Sequence, residues 1–303
     1  MNLNEGSLAA AEAACRTKLR EEPFATTLGR LGPLAQPERA FEFLSHITVR
    51  PDSSAELVRV RGAATSGQNE VERTLLLLAS QHALTKVSGL PVSDSVKKLL
   101  ADEFLFFANP PEAWIDRFEA THVRYQEMAR VATLRRFPAG QFHWELAAVP
   151  RSSVRKTSQS VKMLAHVILK MGGFAPVVEF HLNERRKNRM ILLEKEANLS
   201  YFRVARSLER QPHIRALMLG SWMFCKSTAI VSPHLAWLRR TPEEGGALIA
   251  GLGPADADAG FLTGSQERRK MYDEGTYRPQ LTCVLWPRKQ LIAWANRHPE
   301  FDL

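Results

Sequence analysis

The stretch from Ile214 to Arg240 constrains this chain most. It opens with a near-continuous apolar run, Ile214 to Phe224, broken by Gly220-Ser221. A run this short, bounded by turn residues, predicts a strand buried inside a layered fold. A polar turn follows, Cys225-Lys226-Ser227-Thr228, then Ser232-Pro233, which signals a helix start, and an amphipathic segment from His234 to Arg240. A strand leading into a helix is where α/β proteins commonly place a ligand. Leu219, Ser221, Trp222, Lys226 and Ser232 are therefore the expected ligand-binding residues.

The rest of the chain divides by periodicity. Ala9–Arg20 predicts a helix, and Pro37-Glu38-Arg39-Ala40 a helix start with Phe41, Phe43 and Leu44 packing inward. Val71, Leu75, Leu78 and Ala79 share one helix face, which Leu76 and Leu77 broaden toward deep burial. Ser93 or Asp94 caps a helix over 95–107, and Trp114–Leu134 reads as another long helix. The pattern changes at Arg136-Phe137-Pro138-Ala139-Gly140. Beyond it, alternation predicts strands at Gln141–Leu146 and Ala175–Leu182, an apolar strand at Ala247–Leu252 and a last strand at Gln280–Trp286. Helices are expected between them: Arg151–Met171 stopping at Gly172-Gly173, Ala197–Arg210, Ser265–Tyr272 and Lys289–Asn296. The expected architecture is α/β (α+β): a mainly helical region over 1–136, then a mixed sheet flanked by helices over 137–303.

Charge bears on partners. The chain has 303 residues with 41 Lys and Arg against 32 Asp and Glu, a formal charge of +9. That balance suits anionic partners such as nucleic acid, phosphorylated cofactors or anionic lipid, and a basic surface with no specific partner accounts for it equally. Arg151, Arg155, Lys156, Lys162 and Lys170, then Arg185, Arg186, Lys187 and Arg189, form a basic stretch that suits phosphate, as in tRNA or a carrier protein. A solvated basic face accounts for it equally well. Three scattered cysteines, Cys15, Cys225 and Cys283, form neither a disulfide framework nor a zinc spacing. No run approaches the about 18 apolar residues of a membrane helix. A cytoplasmic protein without membrane or metal is expected.

One grammar near the C-terminus resembles a known family. Ser265–Tyr272 predicts a helix with a tyrosine at its end, Gly275 closes it, Tyr277 follows, and a strand begins after Pro279. This resembles the last helix and strand of the GNAT acyltransferase superfamily over roughly residues 214–290. The resemblance implies an acyl-CoA or other acyl donor held beside the central strand, with Tyr272 as the acid that protonates the leaving thiolate. The place after the central strand, where the resemblance puts a glycine-rich pyrophosphate loop, holds Cys225–Ser232 without glycine. Lys226 and the helix start near Ser232 offer anion contacts instead. Without the resemblance, Tyr272 is a packing residue at a helix end.

Two other polar patterns matter. Glu179 and His181 alternate on one predicted strand and share a face; His143 and Glu145 do the same on another. If the strands are neighbours the four side chains converge, with Glu179 or His181 as general base. Glu119-x-x-His122 lies in a predicted helix and offers half of a di-iron carboxylate site. The leading expectation is an acyl- or aminoacyl-transferase acting on a small-molecule acceptor. The alternatives are a metal-dependent oxygenase using Glu119 and His122, and a non-catalytic binder of an anionic macromolecule.

Overall fold

The computed structural model describes residues 3–48, 56–57, 59–60, 62, 69–119, 123–157, 159–183, 192–256, 260 and 265–302. The protein is a mixed α/β fold. The chain divides into two compact units, Met1–Pro138 and Ala139–Leu303.

The first unit is helical. It contains α1 (Leu3–Arg20), α2 (Phe24–Arg30), α3 (Pro37–Ile47), α4 (Glu70–Val87), α5 (Asp94–Ala108) and α6 (Val123–Ala132), and ends on a short strand, β1 (Arg136–Pro138). Its core surrounds α4, whose Val71 and Leu75 through Ala79 are all buried. A stripe this wide leaves α4 little solvated surface before Thr85 and Lys86, so α1, α3, α5 and α6 all contribute to covering it. Ser93 stands at the start of α5, yet its hydroxyl lies 3.1 Å from that of Ser95 and makes no cap bond to the helix.

The single helix expected over Trp114–Leu134 is broken. Glu112–Phe118 forms a 3-10 turn, Glu119 is extended with ψ 136°, and α6 begins only at Val123. The Ile115 carbonyl, which a continuing helix would use internally, accepts from Asn69 Nδ2 at 3.1 Å. The Glu119 N–H turns back to Asp116 instead. A hydrogen bond from distant sequence thus outweighs local propensity.

The second unit holds β2 (Phe142–Ala147), β3 (Val177–Leu182), β4 (Ala216–Ser221), β5 (Leu248–Pro254) and β6 (Gln280–Pro287). Within it the strand order is β2-β3-β4-β6-β5. The β2/β3, β4/β6 and β5/β6 pairs are antiparallel, whereas β3/β4 is parallel. A parallel pair needs a crossover, and α9 (Glu194–Glu209) supplies it. The other helices are α7 (Arg151–Lys156), α8 (Ser160–Ala165), which continues as a π-helix to Met171, α10 (Lys226–Val231), α11 (Ala236–Glu244), α12 (Gln266–Asp273) and α13 (Arg288–Asn296).

Alternation gives the sheet two unlike faces. Phe180 stacks on Phe142 and on Tyr201 of α9, with centroids 5.1 and 5.7 Å apart. Trp286 and Trp294 of α13 extend this layer edge to face at 5.4 Å. On the opposite face Val177, Ala216, Met218, Leu248, Ala250, Cys283 and Leu285 pack with Val154, Met163, Val167 and Met171.

Two local expectations change here. The helix expected over Arg151–Met171 is interrupted because Thr157 is extended and its hydroxyl accepts the Gln159 N–H at 3.1 Å. A threonine offering this local bond competes with the helix ladder. The stop at Gly172 stands, in the left-handed conformation at φ 78°. The turn expected at Cys225–Thr228 is instead the start of α10, preceded by a 3-10 turn at Trp222–Phe224. The Thr228 hydroxyl fixes that corner by donating to the Trp222 carbonyl at 3.0 Å.

Candidate functional site

β3 and β4 meet and then part. They pair at Val178 with Leu217 and at Glu179 with Met218, and no further pairing is described between them. β3 runs on to Leu182 paired with β2, and β4 runs on to Ser221 paired with β6. The Arg215 side chain ties the start of the parallel pair together by donating from Nε to the Ala175 carbonyl at 2.7 Å. The opening therefore lies at the carboxyl ends of the two strands, where open α/β sheets place their ligands. Gly220 stands at this opening. A Cβ built on it would meet nothing within 4 Å.

The polar residues singled out from sequence converge beside it. Across β2 and β3, His143 pairs with His181 and Glu145 with Glu179, so all four side chains share one face. His181 Nε2 lies 3.1 Å from Glu145 Oε1, an ion-pair contact without the alignment of a hydrogen bond. Both side chains are partly exposed, as a residue exchanging protons with a bound substrate has to be. Glu179 is also felt on β6: burial first, then the Glu179 charge, pushes the Cys283 thiol up to about 12. A carboxylate holding an imidazole can take a proton from an acceptor nucleophile.

The residues expected around the central strand fall into different settings. The Leu219 side chain is buried on the sheet face opposite Met218. Ser221 accepts the Met223 N–H at 3.2 Å and so shapes the exit from β4. Trp222 is half-buried, with the Arg268 guanidinium 5.3 Å from its ring centroid. The same Arg268 donates from Nη1 to the buried Ser232 hydroxyl at 3.3 Å. Ser232 precedes a helical turn but forms no cap bond to it. Lys226 is exposed at the first position of α10. Tyr272, on α12, lies under the Arg278 guanidinium at 4.8 Å, and its carbonyl accepts from Arg278 Nη1 at 3.0 Å. The structure thus forms three groups: Glu145 with His181 and Glu179, Trp222 with Arg268 and Ser232, and Tyr272 with Arg278.

Sequence reasoning missed one further cluster, at the corner after β4. Cys225 Sγ lies 3.2 Å from the Ser227 hydroxyl, and Thr228 Oγ1 lies 3.0 Å from the fully buried Tyr277 hydroxyl. Burial raises the Cys225 thiol, but hydrogen bonds from Ser227 and from the Gln280, Ser227 and Thr228 backbone outweigh it, and the net shift is downward. The available signal was a cysteine followed two residues later by serine where an apolar strand ends. Tyr277 moves the other way, chiefly through burial.

The Glu119-x-x-His122 pattern does not lie within one helix. Glu119 lies past the end of a 3-10 turn and not within a helix, and His122 lies outside the described residues. Among the described residues no group of three or more His, Cys, Asp or Glu is placed to hold a metal ion. No described helix is long and apolar enough to cross a membrane. Arg185, Arg186, Lys187 and Arg189 also lie outside the described residues.

No family model matches this chain, and no curated protein matches it. Solved structures of similar outline include an acyltransferase in complex with CoA and 10C-teicoplanin, at 12% identity and a TM-score of 0.46 over 75% of this chain and 68% of that one. Another is an acyltransferase in complex with decanoyl-CoA, at 17% identity and a TM-score of 0.40 over 91% of this chain and 99% of that one.

Proposed function

We propose that the protein transfers an acyl group from a thioester donor, with coenzyme A as carrier, to a nucleophilic small molecule, as a GNAT-like enzyme would. The observation that carries this reading is the parting of β3 from β4 beside Gly220. An elongated thioester arm carries amide groups that can pair with a free strand edge as an added strand does. Leu219–Ser221 of β4 supply such an edge on the side facing β3.

In this reading the Glu145–His181 pair takes the proton from the acceptor as it attacks the thioester carbonyl. Tyr272 is retained as the group that returns a proton to the leaving thiolate. General acid or base assistance of this kind contributes about a hundred- to ten-thousand-fold in rate.

Calorimetric titration with CoA and thiol release from short and long acyl-CoAs, offered amine or hydroxyl acceptors, test the reading. CoA should bind to the wild type and to His181→Ala alike, with thiol release lost in the variant. Tyr272→Phe should bind CoA and turn over slowly. Absence of CoA binding, or full turnover by His181→Ala, would end the proposal.

A further inference from the structure

The segment from Ser160 to Met171 buries one stripe and exposes another. Met163, Val167 and Met171 enter the core at spacings of four. Val161, Leu164, Ala165 and Ile168 recur at the same helical spacing on the outside. Val161 is 81% exposed, Leu164 45%, Ile168 50% and Leu169 79%. Four large aliphatic side chains held in water on two turns of helix are unusual, because such a patch marks a contact surface. Lys162 and Lys170, both exposed, lie on the same segment, and Arg151, Arg155 and Lys156 of α7 are exposed just before it. From 151 to 171 the chain has five cations and not one Asp or Glu.

We propose that this face docks on the surface of an anionic phospholipid bilayer. Charge and shape together select the occupant. A nucleic acid would use the cations but leave the aliphatic stripe in water. A neutral apolar partner would use the stripe but leave five cations unmatched. An anionic bilayer uses both: aliphatic side chains enter the acyl boundary while lysine stems lie along it and hold their ammonium groups among the phosphates. The face uses none of the residues assigned to acyl transfer, so the proposal stands apart from that reading.

Cosedimentation of the full chain with phosphatidylcholine vesicles, with and without phosphatidylglycerol, tests this. The protein should partition onto the mixed vesicles, bind the neutral ones much less, and dissociate as salt rises. Val161→Asp with Leu169→Asp should weaken partition more than ten-fold. Lys162→Gln with Lys170→Gln should weaken it about twenty-five-fold, at about five-fold per cation. Ile230→Asp, an exposed apolar site on α10, should change nothing. Far-ultraviolet circular dichroism confirms that each variant is folded. Failure to partition onto anionic vesicles overturns the proposal. So does partition that both double variants retain or that Ile230→Asp weakens equally, and so does salt-sensitive capture of tRNA in place of lipid.

Discussion

The two faces of β3 differ although they come from alternate residues of one strand. Val178 and Phe180 face the aromatic layer of Phe142, Tyr201, Trp286 and Trp294, and complete burial pushes the Tyr201 hydroxyl well above the ordinary tyrosine value. Glu179, His181 and Glu145 are half-buried on the other face, beside the buried His143. The first face packs an aromatic layer, whereas the second sets the titratable groups beside the aliphatic packing of Val177, Ala216 and Met218. Separating them lets a charged cluster sit beside the sheet without fully desolvating it, since an unpaired buried charge is far costlier than a lost aliphatic contact.

The largest effect that would break this division is a stability loss from the wrong face. Trp286→Ala removes a buried indole that also donates to the Gly245 carbonyl at 2.9 Å, and should cost about 3–5 kcal/mol in chemical denaturation. His181→Ala should leave denaturation within about 0.5 kcal/mol of wild type, as exposed substitutions do. Its effect should appear in acyl-CoA turnover, with a fall of about a hundred-fold. If His181→Ala unfolds the protein and Trp286→Ala spares it, the two faces have been assigned the wrong way round.

Filling the opening sharpens the same contrast. Gly220→Val meets open space, so the midpoint of denaturation should barely move while the dissociation constant for CoA rises about ten-fold, measured by calorimetry. Equal CoA affinity in Gly220→Val would place the donor elsewhere.

The smallest effect concerns the thiols. Alkylation by iodoacetamide at neutral pH should modify Cys225 ahead of Cys15 and Cys283, because only the thiolate reacts. Burial holds the last two near about 12, while hydrogen bonds bring Cys225 below its usual value. The sign for stability follows. Cys15 and Cys283 keep their protons in the folded state above the ordinary thiol value of 9.0, so the unfolded chain loses them first. Stability is complete below that value and falls as pH climbs toward about 12, which pH-dependent denaturation would detect. The peptide map after alkylation gives the order of reaction directly.

Much of the second unit was legible because alternation and apolar runs are local signals. β2, β3, β4, β5 and β6 all fall where periodicity put them, and so does the wide apolar stripe of α4. The His-x-Glu and Glu-x-His spacings were visible too, but two strands with matching patterns say nothing about which strands are neighbours. The breaks at Glu119 and Thr157 were not legible as breaks. One depends on a hydrogen bond from Asn69 and the other on a hydroxyl choosing a local partner over the helix ladder.

The sequence by itself determined which residues are buried, which alternate and where charge accumulates, because side-chain transfer from water and strand periodicity act within a few residues. Tertiary structure alone decided that β2 and β3 pair in a register that puts Glu145 near His181, and that β3 and β4 run parallel for two pairings and then part. Strand pairing is a contact between segments far apart in the chain, and only the folded sheet fixes which main-chain edges are satisfied and which stand open.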